Sequence, residues 1–351
     1  MVARSLNALD RSTLTEDDLV AAMVEALGTP PRALRVGIGD DSAVWKTSPH
    51  HLSLLTTDML VDGVHFRLAA TTPQSLGWKA LAENLSDIAA MGGWPTVAVV
   101  GLGLTDQVDE RWVRRLYGGF AELAGISQCA IAGGDIVRAP AVTLAITVAG
   151  EVRKTNLRTR AGAKAGDVIA LTGPLGLAAA GLRVLDDSQS ANVLALERSS
   201  SALVAALREA YLRPAPRLRE GRFLGSRRAV RAMMDISDGI STDAARMARA
   251  CGLDIVLDAA ALVPNPAVAR GAAALGADAM SFVLNGGDDY ELMAAIQPRA
   301  FKHIATAFGK RFGRRLEAVG HFESGSGAVW LERLGKRERL AGAGYDHLKQ
   351  R

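Results

Sequence analysis

The stretch Arg231 to Asp243, RAMMDISDGISTD, places two aspartates, Asp235 and Asp238, three positions apart, directly after an apolar run and around a serine and a glycine. An apolar run that breaks at an acid and a glycine reads as a buried strand entering a turn, with a helix following Gly239. Carboxylates at the end of a buried strand are costly unless a cation meets them. The same grammar recurs at Gly37-Ile-Gly-Asp-Asp41, Thr56-Thr-Asp58, Gly133-Gly-Asp135 and Gly286-Gly-Asp-Asp289. Taken singly, an aspartate in a glycine turn is most often an Asx-turn or a helix cap, and Asp238 or Ser241 would cap the helix after Gly239 in that way. Taken together, paired acids at loop tips repel one another unless cations sit between them. Hard oxygen ligands of this kind suit magnesium holding a nucleotide's phosphates, and the glycines let backbone approach closely. Asp87 adds a carboxylate from a predicted helix, on a face shared with Asn84, Ile88 and Met91.

Around these loops the chain is globular in composition: 351 residues, 49% hydrophobic, enough for two domains. Cys129 and Cys251 match no zinc or redox spacing, so buried thiols in a reducing cytoplasm are expected. MVARSLNALDR has no signal-peptide character, and the long uncharged run from Ile88 to Leu104 is broken by Met-Gly-Gly-Trp-Pro, so no membrane association is expected. The net charge of +4 comes from scattered Lys and Arg with only 5% aromatics, which leaves no stacking platform for nucleic acid and suits a phosphorylated small molecule equally well.

Periodicity predicts helices over 15–28, 71–91, with Thr72 as cap and Pro73 in the first turn, and 111–124. It predicts strands over 51–57, 95–104, 129–132 and 142–148. The charged stretch EVRKTNLRTRAGAK, 151–164, is the best domain connection, giving domains 1–154 and 155–351. The second half repeats the alternation, with strands at 168–171 and 233–236 and helices in 199–211 and 242–250. No Gly-x-x-x-x-Gly-Lys-Ser/Thr phosphate loop is present, and Gly101-Leu-Gly-Leu-Thr lacks the third glycine of a dinucleotide fingerprint. If the chain handles ATP, metal ions must do what lysine and backbone amides do elsewhere.

In this order, GIGDDSAVW, TTDMLVDGVHF, NLSDIAAMGG, GGDIVR, RAGAKAGDVIALTGPLG, LRPAPR, MDISDGIS, NGGDDYEL and GYDH resemble the thiamine-monophosphate kinase family of the aminoimidazole-ribotide-synthetase-like superfamily, from about Val36 to His347. The resemblance implies a two-domain fold: an N-terminal α/β domain whose sheet pairs across a homodimer, and a C-terminal α+β domain closing the nucleotide site. It implies phosphotransfer from ATP to thiamine monophosphate, giving thiamine diphosphate, with Mg2+. By matched motif it makes Asp41, Thr56, Thr57, Asp58, Asp87, Asp135, Asp235 and Asp238 magnesium ligands. Tyr117, Gly134, Asp135, Arg160 and Ser237 would contact ATP, and His65, Asp288 and Tyr345 would line the thiamine-phosphate pocket. On the residues alone, His65 is equally a turn histidine and Tyr117 a core residue, while Arg213 and Arg217 in LRPAPR read as structural. The chain departs from the family at Asp288, where Glu is usual, and at Leu177-Ala178, where Asp-Ser is common. Sister readings are an aminoimidazole-ribotide synthetase or a non-catalytic magnesium and nucleotide sensor. Selenophosphate synthetase needs an N-terminal reactive cysteine, and the hydrogenase-maturation relative needs a cysteine-bearing tail; this chain has neither.

Overall fold

The computed structural model describes residues 34–36, 43–46 and 50–340. The predicted helix over 15–28, Asp41 and Tyr345 lie outside the described residues.

The first half builds a sheet from β1 (Leu34–Val36), β2 (Ala43–Lys46), β3 (His51–Val61), β4 (Trp94–Leu104), β5 (Ala130–Arg138) and β6 (Thr143–Arg153), in the order β1-β2-β3-β6-β4-β5. All its pairings are antiparallel except β4 with β5. Two helices, α1 (Pro73–Ala90) and α2 (Glu110–Ser127), cover one face. Helix α1 starts where the sequence says: the Thr72 hydroxyl accepts from the Ser75 N–H at 3.2 Å, and Pro73 occupies the first turn, where no N–H is needed. On β3, Leu52, Leu54 and Leu60 point into this core, while Leu55 and Met59 stay exposed on the opposite face, as period two requires. Val99 and Val137 are exposed as well.

Two of the acidic loops are not loops. β3 runs through Thr56, Thr57 and Asp58 to Val61, and β5 carries Gly133-Gly-Asp135 in its middle. Here the ladder to β6 and β4 satisfies the backbone, so no turn is needed: Thr57 and Asp135 are exposed, while Thr56 and Asp58 share the helix-covered face with Leu54 and Leu60.

The second half forms a seven-stranded sheet from β7 (Val168–Leu171), β8 (Val230–Asp235), β9 (Leu253–Asp258), β10 (Leu292–Ile296), β11 (Glu317–Ser324), β12 (Val329–Arg333) and β13 (Lys336–Arg339). Its order is β13-β12-β9-β11-β7-β10-β8. Eight helices accompany it: α3 (Leu177–Asp186), α4 (Ala191–Ser199), α5 (Ser201–Leu212), α6 (Leu218–Gly225), α7 (Ile240–Cys251), α8 (Pro266–Leu275), α9 (Ala279–Asn285) and α10 (Pro298–Phe312). The helix expected in 199–211 is α5, which starts at Ser201; Ser200, whose φ of −159° is extended, separates it from α4. The halves share one core: Leu218, Phe223, Met233 and Phe308 pack in the cluster that holds Leu85 and Ile88 of α1. None of the described helices is by itself long and apolar enough to cross a membrane.

The position of α1 is set by glycines at its crossing with α2. A Cβ on Gly77 would stand 2.1 Å from the Leu116 carbonyl oxygen, and one on Gly119 would stand 2.0 Å from that of Gln74. A methyl group at Gly119 forces the helices apart, so Gly119→Ala should lower stability by roughly 1–3 kcal/mol. Gly125→Ala, on the same helix but facing open space, should be neutral or stabilising. Denaturant unfolding of the two variants side by side checks this; equal effects would mean that the crossing is not tight.

Candidate active site

A cavity of about 760 Å3 opens between the halves. It is lined by Asp58 of β3, the segment from Gly63 to Arg67, Lys79, Glu83 and Asp87 of α1, the turn after β8 with Asp235, Ser237 and Asp238, and the Asn285–Tyr290 loop. Of the residues expected at a site, Asp58, His65, Asp87, Asp235, Ser237, Asp238 and Asp288 line this cavity, and Thr56 is joined to it through Asp87.

Helix α1 organises the cavity. Lys79, Glu83 and Asp87 recur every fourth residue and so form one polar stripe on an otherwise buried helix. The Thr56 hydroxyl donates to the Asp87 carboxylate at 2.5 Å, tying β3 to α1, and the Ser86 hydroxyl donates to Asp235 Oδ2 at 2.6 Å, tying α1 to β8. Asp235 is 3% exposed. Carboxylates from both halves are thus held against a single helix.

Lys79 is 2% exposed and lies at the other end of the stripe. Its ammonium donates to Asp288 Oδ2 at 2.8 Å, stands 3.8 Å from Glu83, and sits 3.9 Å from the centre of the Tyr211 ring. Burial works against a charged lysine, but Asp288 and Glu83 outweigh it and hold the ammonium above its ordinary pKa. Burial, opposed by Lys79 and reinforced by Asp288 and Asp58, pushes the Glu83 carboxyl up to about 8.

Each acid of Asp288-Asp-Tyr-Glu291 has its own partner. Asp288 takes Lys79 and, on Oδ1, the Tyr290 hydroxyl at 3.0 Å; its φ of +65° turns the chain sharply. Asp289 Oδ2 accepts the Gly176 N–H at 2.6 Å, at the start of α3. Glu291 is buried between Arg217 and Arg314, at 2.6 and 2.7 Å. Burial alone would raise its pKa, but the two guanidiniums bring it below the ordinary value. Arg217 is structural, as its sequence context indicates. So is Arg213, which pairs with Glu122 at 2.5 Å and lies over the Trp78 ring.

The turn after β8 is held by an acid that sequence reasoning passed over. Asp243, fully buried in the first turn of α7, accepts the N–H groups of Ser237 and Asp238, both at 3.0 Å, and pairs with Arg246. Burial, with Asp238 beside it, pushes Asp243 up to about 7 against the pull of Arg246. Arg246 also pairs with Asp238, so that carboxylate enters the cavity already partly neutralised. Neither Asp238 nor Ser241 caps α7; Gly239 stands at the cap position, and the Ser241 hydroxyl donates to Asn285.

Other expected site residues stand apart. Thr57, on the open face of the sheet, accepts from the Thr147 hydroxyl, and Asp135 is exposed on β5. Tyr117 packs edge-on against Phe120, half-buried on α2. Arg160 lies close enough to Asp243 and Arg246 to act on both charges. Asp58, Ile146, Val100 and Gly134 form one row across four strands. At the usual strand spacing this puts Gly134 about 14 Å from Asp58, so no single ion, with ligands at about 2.1 Å, joins Asp58 to Asp135 within one chain.

Among the described residues no three His, Cys, Asp or Glu side chains cluster closely enough to hold a metal by themselves. Magnesium does not need such a cage, because it keeps several waters and is usually held by one or two carboxylates together with substrate phosphates. Asp58, Asp87 and Asp235, hard oxygen donors around one cavity, fit that chemistry.

This pair of mixed sheets with an acid-lined cavity between them is the architecture of AIR synthase related proteins: the model of their N-terminal domain matches residues 39–152 and that of their C-terminal domain residues 164–329. Thiamine-monophosphate kinase of Mycobacterium tuberculosis (strain H37Rv) is 37% identical over 265 residues, 75% of each chain. That of Escherichia coli (strain K12) is 31% identical over 332 residues, 95% of this chain and 98% of the other. The solved structure of AaThiL complexed with AMPPCP and TMP superimposes with a TM-score of 0.80 at 27% identity, covering 95% of this chain and 97% of that one. The chain belongs to the thiamine-monophosphate kinase family.

Glu83 gives the cavity a pH signature. The unfolded chain releases this proton near the ordinary 4.5, whereas the folded chain keeps it to about 8. Between these values the folded state binds more protons than the unfolded one, so the carboxyl costs increasing stability as pH rises through that window. Glu83→Gln should therefore gain on the unsubstituted protein in thermal melts at pH 8 and gain little at pH 5, in magnesium-free buffer. The same gain at both pH values would remove the assignment.

Proposed function

We propose that the chain transfers the γ-phosphoryl group of ATP to thiamine monophosphate, giving thiamine diphosphate. The observation that carries this reading is the convergence of Asp58, Asp87 and Asp235, drawn from both halves, on one cavity whose other end holds His65 and the Lys79–Asp288 pair. The family and the bound AMPPCP and TMP of the structural relative support it.

The nucleophile is a phosphate oxygen of the substrate, whose second pKa near 6, in the range general for phosphate monoesters, leaves it anionic at neutral pH. No general base is needed. Asp58, Asp87 and Asp235, completed by Asp41, would hold magnesium, with Thr56 orienting Asp87 and Ser86 orienting Asp235. Magnesium, when bound, neutralises the facing phosphates and aligns them for in-line transfer. Asp238, braced by Arg246, and Ser237, whose N–H is fixed by Asp243, form the wall against the nucleotide. Thr57 and Asp135 would serve separate ions, and Tyr117, Gly134 and Arg160 the nucleotide.

His65 Nδ1 accepts the Val61 N–H at 3.0 Å, which leaves the proton on Nε2 and makes this imidazole a neutral donor. Its carbonyl accepts the Tyr211 hydroxyl at 2.9 Å, so the segment is fixed from both sides. His65, Asp288 and Tyr345 are assigned to the thiamine phosphate.

We place the domain boundary at 154/155, between the last strand of one sheet and the first of the other. A homodimer is supported by the open face of the first sheet, where Leu55, Met59, Val99 and Val137 are 39–57% exposed. Cys129 and Cys251 are unpaired thiols, in keeping with a reaction in the cytoplasm, where ATP is available.

Asp235→Asn should cut magnesium-dependent thiamine diphosphate formation on the order of 10²-fold or more while leaving the circular dichroism spectrum intact. Wild-type turnover in that variant would refute the site. His65→Ala should raise KM for thiamine monophosphate about tenfold and leave KM for ATP unchanged, since it removes one charge-assisted hydrogen bond to one substrate only. A change in KM for ATP alone would move His65 to the nucleotide.

A further inference from the structure

A second cavity, of about 660 Å3, opens on the seam between the halves where α1 ends, and its lining is opposite in charge to the first. Arg153 comes from the end of β6, Arg219 and Arg222 from α6, Arg227 from just beyond it, and Arg311 from α10; among the described residues Glu151 is the one carboxylate in the lining. None of the five guanidiniums forms an ion pair with a described residue, whereas Arg217 and Arg314, on the neighbouring turns, share Glu291. All five are exposed, and like charges gathered in one concavity make a positive field that attracts an anion.

Three of the five arginines are also stacked on aromatic rings. Arg222 lies 5.2 Å over the Trp94 ring, and Arg227 and Arg311 lie 4.4 and 5.9 Å over that of Phe223. A guanidinium stacked on an aromatic face keeps its fork of donors available at reduced entropic cost. Beside the stacked rings the two halves meet closely at glycines: a Cβ on Gly92 would meet the Cα of Gly225 at 3.2 Å.

We propose that this seam cavity is a second anion site, which takes a di- or triphosphate group. Planar forks match phosphate oxygens two at a time, and five of them call for more than one phosphate. The volume falls in the usual range of small-molecule sites, about 300–1,000 Å3. A ligand here bridges Arg153 of the first half to α6 and α10 of the second, and so clamps the seam on which the acidic cavity also lies.

Calorimetric titration of the full chain with inorganic tripolyphosphate, in magnesium-free buffer, tests this, because the acidic cavity repels a polyanion when no cation is supplied. One tripolyphosphate should bind per chain, orthophosphate should bind more weakly, and Asp235→Asn should not change the affinity. The pair Arg222→Ala/Arg311→Ala should weaken binding about tenfold or more, and Arg222→Lys/Arg311→Lys should weaken it less, since charge is kept and the forks are lost. The lysine pair also guards against a folding defect, as does the unliganded melting temperature of each variant. ADP and thiamine diphosphate, titrated in turn, distinguish the source of the phosphates: the tighter binder identifies the ligand, and equal affinities mean that only phosphate is read. No heat from tripolyphosphate, unchanged affinity in the alanine pair, or loss of binding in Asp235→Asn would overturn the proposal. So would an arginine-dependent site that takes a single-stranded oligonucleotide but not tripolyphosphate.

Discussion

The close approach of α1 to everything around it is the constraint on which the rest depends. Gly77 and Gly119 let α1 and α2 meet backbone to backbone, and a Cβ on Gly221 would stand 2.2 Å from the Ala89 carbonyl oxygen, so α6 presses on the same helix from the second half. Fixed in this way, α1 presents Lys79, Glu83 and Asp87 to the cavity, with Ser86 buried against Asp235. Polar groups buried this deeply are stable only when every partner is present. The hydrogen bonds from Thr56 to Asp87 and from Ser86 to Asp235 are as much a part of the fold as of the site.

Much of this was legible in the sequence, for local reasons. Thr72-Pro73 marked the start of α1 because capping depends on a few adjacent residues, and the strand at 168–171 followed from its apolar run. Asp58 and Asp135 misled because glycine and aspartate signal a turn unless a neighbouring strand supplies the ladder, and strand partners are remote in sequence. The stripe Lys79, Glu83, Asp87 was readable as a four-residue period, yet its meaning depended on which face of α1 would be buried. Asp243 carried no local signal beyond being an acid in a first helical turn; its two N–H donors come from a turn that exists only once β8 and α7 are in place.

The Asp288–Glu291 run shows how one acidic motif divides its labour. One carboxylate meets an ammonium at the cavity, one receives the amide at the start of α3, and one locks two arginines beneath β10. Both oxygens of Asp288 are already engaged, by Lys79 and Tyr290. A buried ammonium is brought to this side chain, so the cavity is lined here by a preset ion pair rather than a free carboxylate.

Because α1 belongs by chain order to the first half yet shares its core with Phe223, Met233 and Phe308 of the second, loss of either half strips this helix of packing partners. A fragment ending after β6 would expose the apolar surface of α1 that α6 and β8 cover. Exchange of halves between relatives would carry across only if both sides of this helix moved together, so the seam, more than either sheet, is the unit on which variation in this chain is constrained.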